Sequence, residues 1–398
     1  MTETRYKLNG YNVITDMASC LREFGVDGIR FDFAQVLHDT GTAEEQIDGM
    51  NTLRQINRTL ALFDPDGKPY TVAEDFTQNW LVAADLEQGE NQWGMDKKGM
   101  GFDGVWSGPV HHDLIGAING QRSMDDLMFT MLAHKGVPAP EKAVVFSHSH
   151  DEVGNSGTWA IRAGAGSRDD GKVMENYPRA VSRAAATIIH TMPGVPMVFQ
   201  GEEFLANNDF KHGATSTWGA DYSWLDFRVS PSKLDQFKEI SAMPADKQKS
   251  ALKGMSKEDK ENYIKYASMT PEEKTNAETY SLKTGQSNVY RALNELRASS
   301  DAFRADAPMN RLYTHNDNKV MAYERTDGKD RYVVVTNLSG NDYTNYRIDG
   351  MPAGQWTEVF NSNARDFGGT GFGNCGGTGA FNEGMNIPAG SSVIFKLS

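Results

Sequence analysis

The chain has 398 residues, of which 39% are apolar and 23% are charged, and its formal net charge is -13. This composition is typical of a globular protein of two or three domains and excludes disordered and fibrous chains. The acidic balance, without a long Lys/Arg cluster, excludes a basic nucleic-acid-binding stripe, so we expect no nucleic-acid partner.

The sequence shows no targeting, membrane or cofactor motif. The first residues, MTETRYKLNG, contain no apolar signal segment, and the apolar runs are too short to span a bilayer. No GxGxxG motif follows a predicted strand, and the adjacent His111 and His112 lack the spacing of zinc ligands. We therefore expect a cytoplasmic protein with no membrane partner, no metal and no cofactor.

Short apolar runs that end in polar residues recur in the first half of the chain and are typical of buried strands. They are GVDGIRFD (25–32), PYTVAED (69–75), GFDGVW (101–106), KAVVFSHSHD (142–151) and GVPMVFQGEE (194–203). Segments with helical spacing separate these runs. The alternation predicts parallel strands with crossover helices, in either an open doubly wound sheet or a (β/α) barrel.

The second half of the chain has a different character. Residues 229–280 are rich in Lys, Glu, Ser and Met and predict a charged, exposed helical insertion, and an amphipathic helix resumes over 281–308. From residue 309 to 398, short alternating strands separated by Asn, Asp and Gly turns predict an antiparallel β-domain. Residues 1–228 then form the domain that carries the alternating strands and helices.

Three acids, Asp32, Glu74 and Asp151, lie at or just beyond the carboxyl ends of different predicted strands. In a parallel barrel those ends form one rim, where catalytic groups converge. Two carboxylates in different environments suit glycoside cleavage. Arg30 lies on the same strand face as Asp32 and would keep it ionised, although a plain salt bridge at a strand end explains this pair as well.

These motifs resemble a known family. GIRFD, AED and SHSHDE, in this order, resemble three signature regions of the α-amylase superfamily of glycoside hydrolases and transglycosylases, and PGVPMVFQGEEF resembles its last barrel strand. The resemblance implies a partial (β/α)8 TIM-type barrel, with about strands four to eight, followed by a C-terminal all-β sandwich domain. The stretch GQWTEVFNSNARDFGGTGFGN is similar to the β-domain of glycogen branching enzymes.

The resemblance also implies roles. Asp32 would be the nucleophile, Glu74 the general acid and then base, and Asp151 a third carboxylate that holds sugar hydroxyls. Arg30 and His150 would bind the nucleophile and substrate hydroxyls, and the expected substrate is an α-1,4-glucan.

Which reaction the chain catalyses stays open. The pairs Glu74-Asp75 and Asp151-Glu152 resemble those of branching enzymes and favour 1,4-α-glucan branching. The alternative is a retaining α-glucan hydrolase, either of the α-amylase type or of the trehalose-releasing type, which GMGFDGVWSGPVHHDL resembles. Trp106, at a strand end in that stretch, is the best candidate for a sugar-stacking platform. No counterpart of the family's first three strands is recognised. We therefore also consider a chain that pairs with a partner supplying those strands, and a non-catalytic fragment or carbohydrate-binding partner.

Overall fold

The computed structural model describes residues 17, 21, 23–63, 69–87, 91–92, 95–96, 98–156, 158–166, 170–207, 225 and 227–398. These residues divide into two compact units. The first unit consists of the described residues up to His112 together with Phe129–Phe146 and Pro193–Met197, and the second consists of Asp113–Met128, Ser147–Met192 and Val198–Ser398.

A parallel sheet forms the centre of the first unit. Among the described residues its five strands are β1 (Gly28–Phe31), β2 (Tyr70–Ala73), β3 (Gly104–Trp106), β4 (Ala143–Phe146) and β5 (Val195–Met197), and they pair in chain order. A doubly wound sheet would reverse its strand order at a switch point, whereas a (β/α) barrel keeps the chain order. The observed order therefore favours the barrel.

Helix α1 (Ala43–Phe63) packs beside the sheet of the first unit. Its start is a capping arrangement in which the Thr42 backbone N–H donates to the Glu45 carboxylate at 2.8 Å. The helix buries Leu53 in a core with Val105 of β3 and Phe102. Gly49 brings α1 against the 3-10 helix Ala34–Leu37, which directly follows the first strand.

Several shorter elements follow. Asn91–Gln92 pairs with Met95–Asp96, and the helices α2 (Gly108–Asn119) and α3 (Met124–Ala133) each have residues in both units. The helices of the second unit are α4 (Ala160–Ala165), α5 (Asp170–Val173), α6 (Asn176–Thr191), α7 (Pro231–Ser241), α8 (Ala245–Lys253), α9 (Lys257–Ser268) and α10 (Pro271–Ser299).

Two of these helices show how the sequence sets their positions. Helix α6 is buried from Pro178 to Thr191, consistent with its many small and branched residues. Helix α10 begins with a Thr270–Glu273 capping box and a proline in its first turn, and it continues without interruption across residue 280. The predicted boundary between insertion and barrel helix therefore falls inside one helix.

The C-terminal part of the second unit is all-β. Its strands are β6 (Met309–His315), β7 (Val320–Thr326), β8 (Arg331–Asn337), β9 (Tyr343–Tyr346), β10 (Trp356–Asn361), β11 (Thr378–Gly379), β12 (Met385–Ile387) and β13 (Ser391–Leu397). Six form an antiparallel sheet in the order β11-β10-β13-β8-β7-β6, and β9 pairs with β12. Residues of both sheets share a core that includes Val333, Trp356, Ile387 and Phe395. A partial barrel followed by an all-β domain is thus confirmed.

Candidate active site

The strand register explains why the predicted catalytic residues of the first unit meet. Phe31 of β1 lies opposite Ala73 of β2, and Ala73 lies opposite Val105 of β3. The next residues along these three strands are Asp32, Glu74 and Trp106. Neighbouring strands lie about 4.8 Å apart, so these residues lie side by side at the carboxyl edge of the sheet.

Arg30 connects the two acids. Its Nη1 lies 2.9 Å from Oδ1 of Asp32, and its Nη2 lies 2.6 Å from Oε2 of Glu74. The Asp32 side chain is 76% exposed, whereas that of Glu74 is 4% exposed. An exposed ion pair contributes about 0–1 kcal/mol to stability. A buried charge destabilises the fold much more when its partner is removed. Glu74 is therefore the more important partner of Arg30, which the sequence pattern did not indicate.

The backbone after β1 also binds Glu74. The Phe33 N–H donates to Oε2 of Glu74 at 2.8 Å, and the Ala34 N–H donates to the Glu74 backbone carbonyl at 2.9 Å. Phe33 adopts a left-handed conformation with φ of 44°, uncommon for a non-glycine residue. This turn directs the Phe33 N–H toward the Glu74 carboxylate. The strained backbone conformation of Phe33 therefore allows this hydrogen bond to form.

Trp106 supports Arg30 in this structure. The guanidinium carbon of Arg30 lies 4.2 Å from the centre of the Trp106 ring, which is a cation–π geometry. The centre of the Phe146 ring, on β4, lies 5.2 Å from that of the Trp106 ring. Trp106 is 6% exposed. The ring face that Arg30 covers is not open to a sugar, and the predicted stacking role of Trp106 stays a prediction.

A second pair of side chains lies beside the acids, and sequence reasoning missed it. His38 and Asp75 form a buried hydrogen-bonded pair, and the Phe76 N–H donates to Oε1 of Gln35 at 2.8 Å. Asp75 follows Glu74 directly, whereas His38 and Gln35 belong to the segment after Asp32. Only the position of Asp75 next to Glu74 could have drawn attention to it.

The other predicted site residues, His150 and Asp151, belong to the second unit. His150 Nε2 lies 3.6 Å from Asp151 Oδ2, and both side chains are partly exposed. The Asp151 N–H donates to Oγ of Ser149 at 3.2 Å. Ser149 also donates to the Glu152 carboxylate, so the segment after β4 is fixed by its own short polar side chains.

A buried polar cluster underlies this segment. The Nδ1 atom of His148 bonds to Oε2 of Glu202, and Ser147 Oγ donates to the same oxygen at 2.7 Å. The Ala160 N–H donates to Nε2 of His148 at 2.6 Å, which places the ring proton on Nδ1. The imidazole Nε2 is thus occupied by a backbone donor, consistent with a structural role for His148. Burial raises the pKa of the neighbouring Glu203, as does the charge of Glu202.

The described part of the chain shows neither a metal-site arrangement nor a membrane-spanning helix. No group of three or more His, Cys, Asp or Glu side chains there has the arrangement of a metal site. Within the same residues, no helix combines the length and apolarity needed to cross a membrane.

Comparisons with known proteins agree with this architecture. Residues 313–398 match the family described as alpha amylase, C-terminal all-beta domain. The chain is also 24% identical over 386 residues to a 1,4-alpha-glucan branching enzyme GlgB from Burkholderia thailandensis, covering 90% of this chain and 36% of the relative. These two similarities support the α-amylase family as the one that this chain resembles.

Two other proteins are also similar to this chain. It is 25% identical over 234 residues to a malto-oligosyltrehalose trehalohydrolase from Rhizobium sp. strain M-11, covering 52% of this chain and 34% of that protein. A solved α-amylase from H. orenii has a TM-score of 0.57 at 16% identity, covering 98% of this chain and 64% of that structure, which supports the fold alone. The chain spans about a third of the length of these two curated relatives.

Proposed function

We propose that this chain is a retaining enzyme acting on α-1,4-glucans, and that its reaction is 1,4-α-glucan branching. The observation that carries the proposal is the Arg30 bridge between Asp32 and Glu74 at the ends of adjacent strands. Retaining glycosidases need two carboxyl groups about 5–5.5 Å apart. Two carboxylates on one guanidinium, from neighbouring parallel strands, are compatible with that separation.

In this proposal Asp32 is the nucleophile. Its exposed carboxylate attacks the anomeric carbon, the bond to the leaving oxygen breaks, and Glu74 donates a proton to that oxygen. A sugar hydroxyl then attacks the same carbon, the bond to Asp32 breaks, and Glu74 accepts the hydroxyl proton. The two inversions retain the anomeric configuration.

The contacts of Glu74 define a requirement of this mechanism. Its Oε2 accepts from both Arg30 and the Phe33 N–H, and an oxygen that already accepts two hydrogen bonds has little room for a third partner. Proton donation from Oε2 thus requires that the substrate oxygen replace Arg30. Catalytic hydrogen bonds often reach their working geometry only with substrate bound, so we expect Arg30 to move onto Asp32 or a sugar hydroxyl.

We also propose roles for His150 and Asp151, as the family resemblance implies. Both are partly exposed and have polar atoms suited to sugar hydroxyls. As a third carboxylate, Asp151 would hold hydroxyls of the reacting sugar and favour its distorted, positively charged transition state. His150 would donate to a hydroxyl of the same sugar.

Branching is preferred because a branching enzyme matches nearly the whole chain, including its β-domain. The trehalohydrolase similarity supports a second candidate, in which water rather than a sugar hydroxyl attacks the intermediate. In a third hypothesis the chain is a non-catalytic fragment or carbohydrate-binding partner that keeps the acids without turnover.

Iodine staining and a reducing-end assay on amylose separate these candidates. Branching lowers the iodine colour with few new reducing ends, whereas hydrolysis generates many. We expect branching by the wild-type chain and loss of the signal in both Asp32→Asn and Glu74→Gln. A wild-type chain that gives neither signal would contradict both catalytic candidates.

A further inference from the structure

The segments that follow β1 and β2 contain a buried pair to which the mechanism above gives no role. Nε2 of His38 bonds to Oδ2 of Asp75, and the two side chains are 2% and 1% exposed. A buried carboxylate needs a hydrogen-bonded partner to offset its loss of water. His38 supplies that partner from the segment that begins at the proposed nucleophile.

Asp75 is fully engaged with the protein. Its other oxygen, Oδ1, accepts from the backbone N–H of Thr77 at 3.0 Å and from the Thr77 hydroxyl at 2.5 Å. Both carboxylate oxygens therefore have protein donors, and the side chain is buried. Asp75 is suited to holding the backbone that carries Glu74, and it is not placed to bind a sugar.

Further contacts tie the same two segments on either side of this pair. The Ala34 N–H donates to the Glu74 carbonyl at 2.9 Å, and the Phe76 N–H donates to Gln35 Oε1 at 2.8 Å. The segment after β1 is thus bonded to Glu74 at its carbonyl and to each of the two residues that follow Glu74. Of these, the His38–Asp75 bond is the one formed by two buried side chains.

We propose that His38 and Asp75 are positioning residues that hold Glu74 in register with Asp32 for proton transfer. The proposal rests on the proposed function, because it assigns the pair a role in that same reaction. A displacement of about 1 Å in a positioned catalytic group can cost about 10²-fold in rate. Loss of the His38–Asp75 bond should therefore affect steps that need a proton from Glu74.

A pair of reactions distinguishes this role from general support of the fold. Cleavage of a maltooligosaccharide needs Glu74 to protonate the leaving oxygen. With α-maltosyl fluoride and azide, fluoride leaves without a proton as Asp32 attacks. Azide then attacks the same carbon, releases Asp32 and yields maltosyl azide without a base. Neither step of the second reaction needs Glu74.

The variants are His38→Phe, which removes the bond, and His38→Gln, whose amide N–H can restore the donor. For His38→Phe we expect about a 10²-fold loss of kcat on maltooligosaccharide, a nearly unchanged KM, and less than about a 5-fold loss with maltosyl fluoride and azide. His38→Gln should recover most of the first activity. His190→Phe, at a buried histidine outside the site, is the matched control and should change both rates equally.

The ratio of the two rates does not depend on how much of a variant folds, because an unfolded fraction lowers both equally. Equal losses on the two substrates in His38→Phe, or no loss on maltooligosaccharide, would overturn the positioning role while leaving the proposed function intact. A wild-type chain without activity on either substrate would instead overturn the proposed function and, with it, this inference.

Discussion

Arg30 is the residue on which the geometry of the candidate site depends most. Its two terminal nitrogens contact two carboxylates, and its flat face lies on Trp106. A lysine offers a point charge without the fork or the stacking plane. We expect Arg30→Lys to lower kcat by about 10²-fold or more, similar to loss of one transition-state donor, with a smaller change in KM. Steady-state kinetics on maltooligosaccharide measure both constants.

Arg58→Lys is a suitable control for that substitution. Arg58 pairs with Glu87 at 2.8 Å, and both side chains are mostly exposed. An exposed pair of this kind contributes little, so Arg58→Lys should behave as the wild-type chain. If Arg30→Lys were equally neutral, Arg30 would be a surface salt bridge, as the sequence alone also allowed.

At this scale the sequence predicts positions better than partners. Asp32 and Glu74 could be placed at adjacent strand ends because short apolar runs and their polar ends are local features. The contact of Arg30 with Glu74 joins residues 44 apart in number, and the His38–Asp75 pair joins residues 37 apart. Such contacts depend on register and on the turn at Phe33, which no local pattern reports.

Among the elements, helix α1 sets the position of the segment that follows Asp32. A Cβ added at Gly49 would lie 1.5 Å from the Leu37 carbonyl oxygen, so an alanine there must push the helix and the 3-10 turn apart. We expect Gly49→Ala to lower the free energy of unfolding by about 1–3 kcal/mol, despite the better helix propensity of alanine, and to lower glucan activity. Urea unfolding and the iodine assay measure the two effects.

Gly254→Ala is the matched control, because nothing lies within 4 Å of a Cβ at Gly254 and its φ of -82° suits any residue. It should leave stability within about 0.5 kcal/mol of the wild-type value or raise it. A Gly49→Ala variant as stable and active as Gly254→Ala would show that α1 does not approach Leu37 this closely.

Helix α6 carries a histidine that should make folding sensitive to mild acid. His190 is buried, its Nδ1–H donates to the Ala186 carbonyl at 2.8 Å, and the Tyr290 ring packs on it. Burial lowers the pKa of His190, an effect that the hydrogen bond to Ala186 and the charge of Glu202 oppose and the charge of Arg297 reinforces. The folded chain therefore keeps this imidazole neutral at pH values where the unfolded chain binds a proton.

It follows that the free energy of unfolding should fall as the pH drops below about 6.5, by at most about 1.4 kcal/mol per pH unit for this group. His190→Asn keeps a donor near Ala186 and should flatten the dependence between pH 5 and 7, measured by urea unfolding. His112→Asn, at an exposed histidine, should not. A slope that is identical in wild type and His190→Asn would contradict this account.

The elements themselves were largely predictable, since five apolar runs became five parallel strands and the C-terminal alternation became antiparallel sheets. Residues 229–280 gave weaker guidance. Their charge pattern predicts helix, but it cannot show that α7, α9 and α10 bury a shared cluster containing Phe237, Tyr266 and Ala277. The apolar residues of these lysine-rich helices are too sparse for their spacing to reveal such a core.

At the scale of the whole molecule, the described sheet is open, with β1 and β5 as its outer strands. Exposed strand edges in a parallel sheet are costly, and an eight-stranded barrel has none. Because further strands would cover these edges, we keep the proposal that another chain supplies them.

The central claim is that Asp32 forms a covalent bond to the sugar. In Glu74→Gln, α-maltosyl fluoride should still react, because fluoride needs no proton, while the following attack by water or sugar lacks its base. Intact-mass spectrometry of this variant should show the addition of one maltosyl unit, and peptide mapping should place it on Asp32. No addition, addition at another residue, or the same addition in the double variant with Asp32→Asn would contradict the claim.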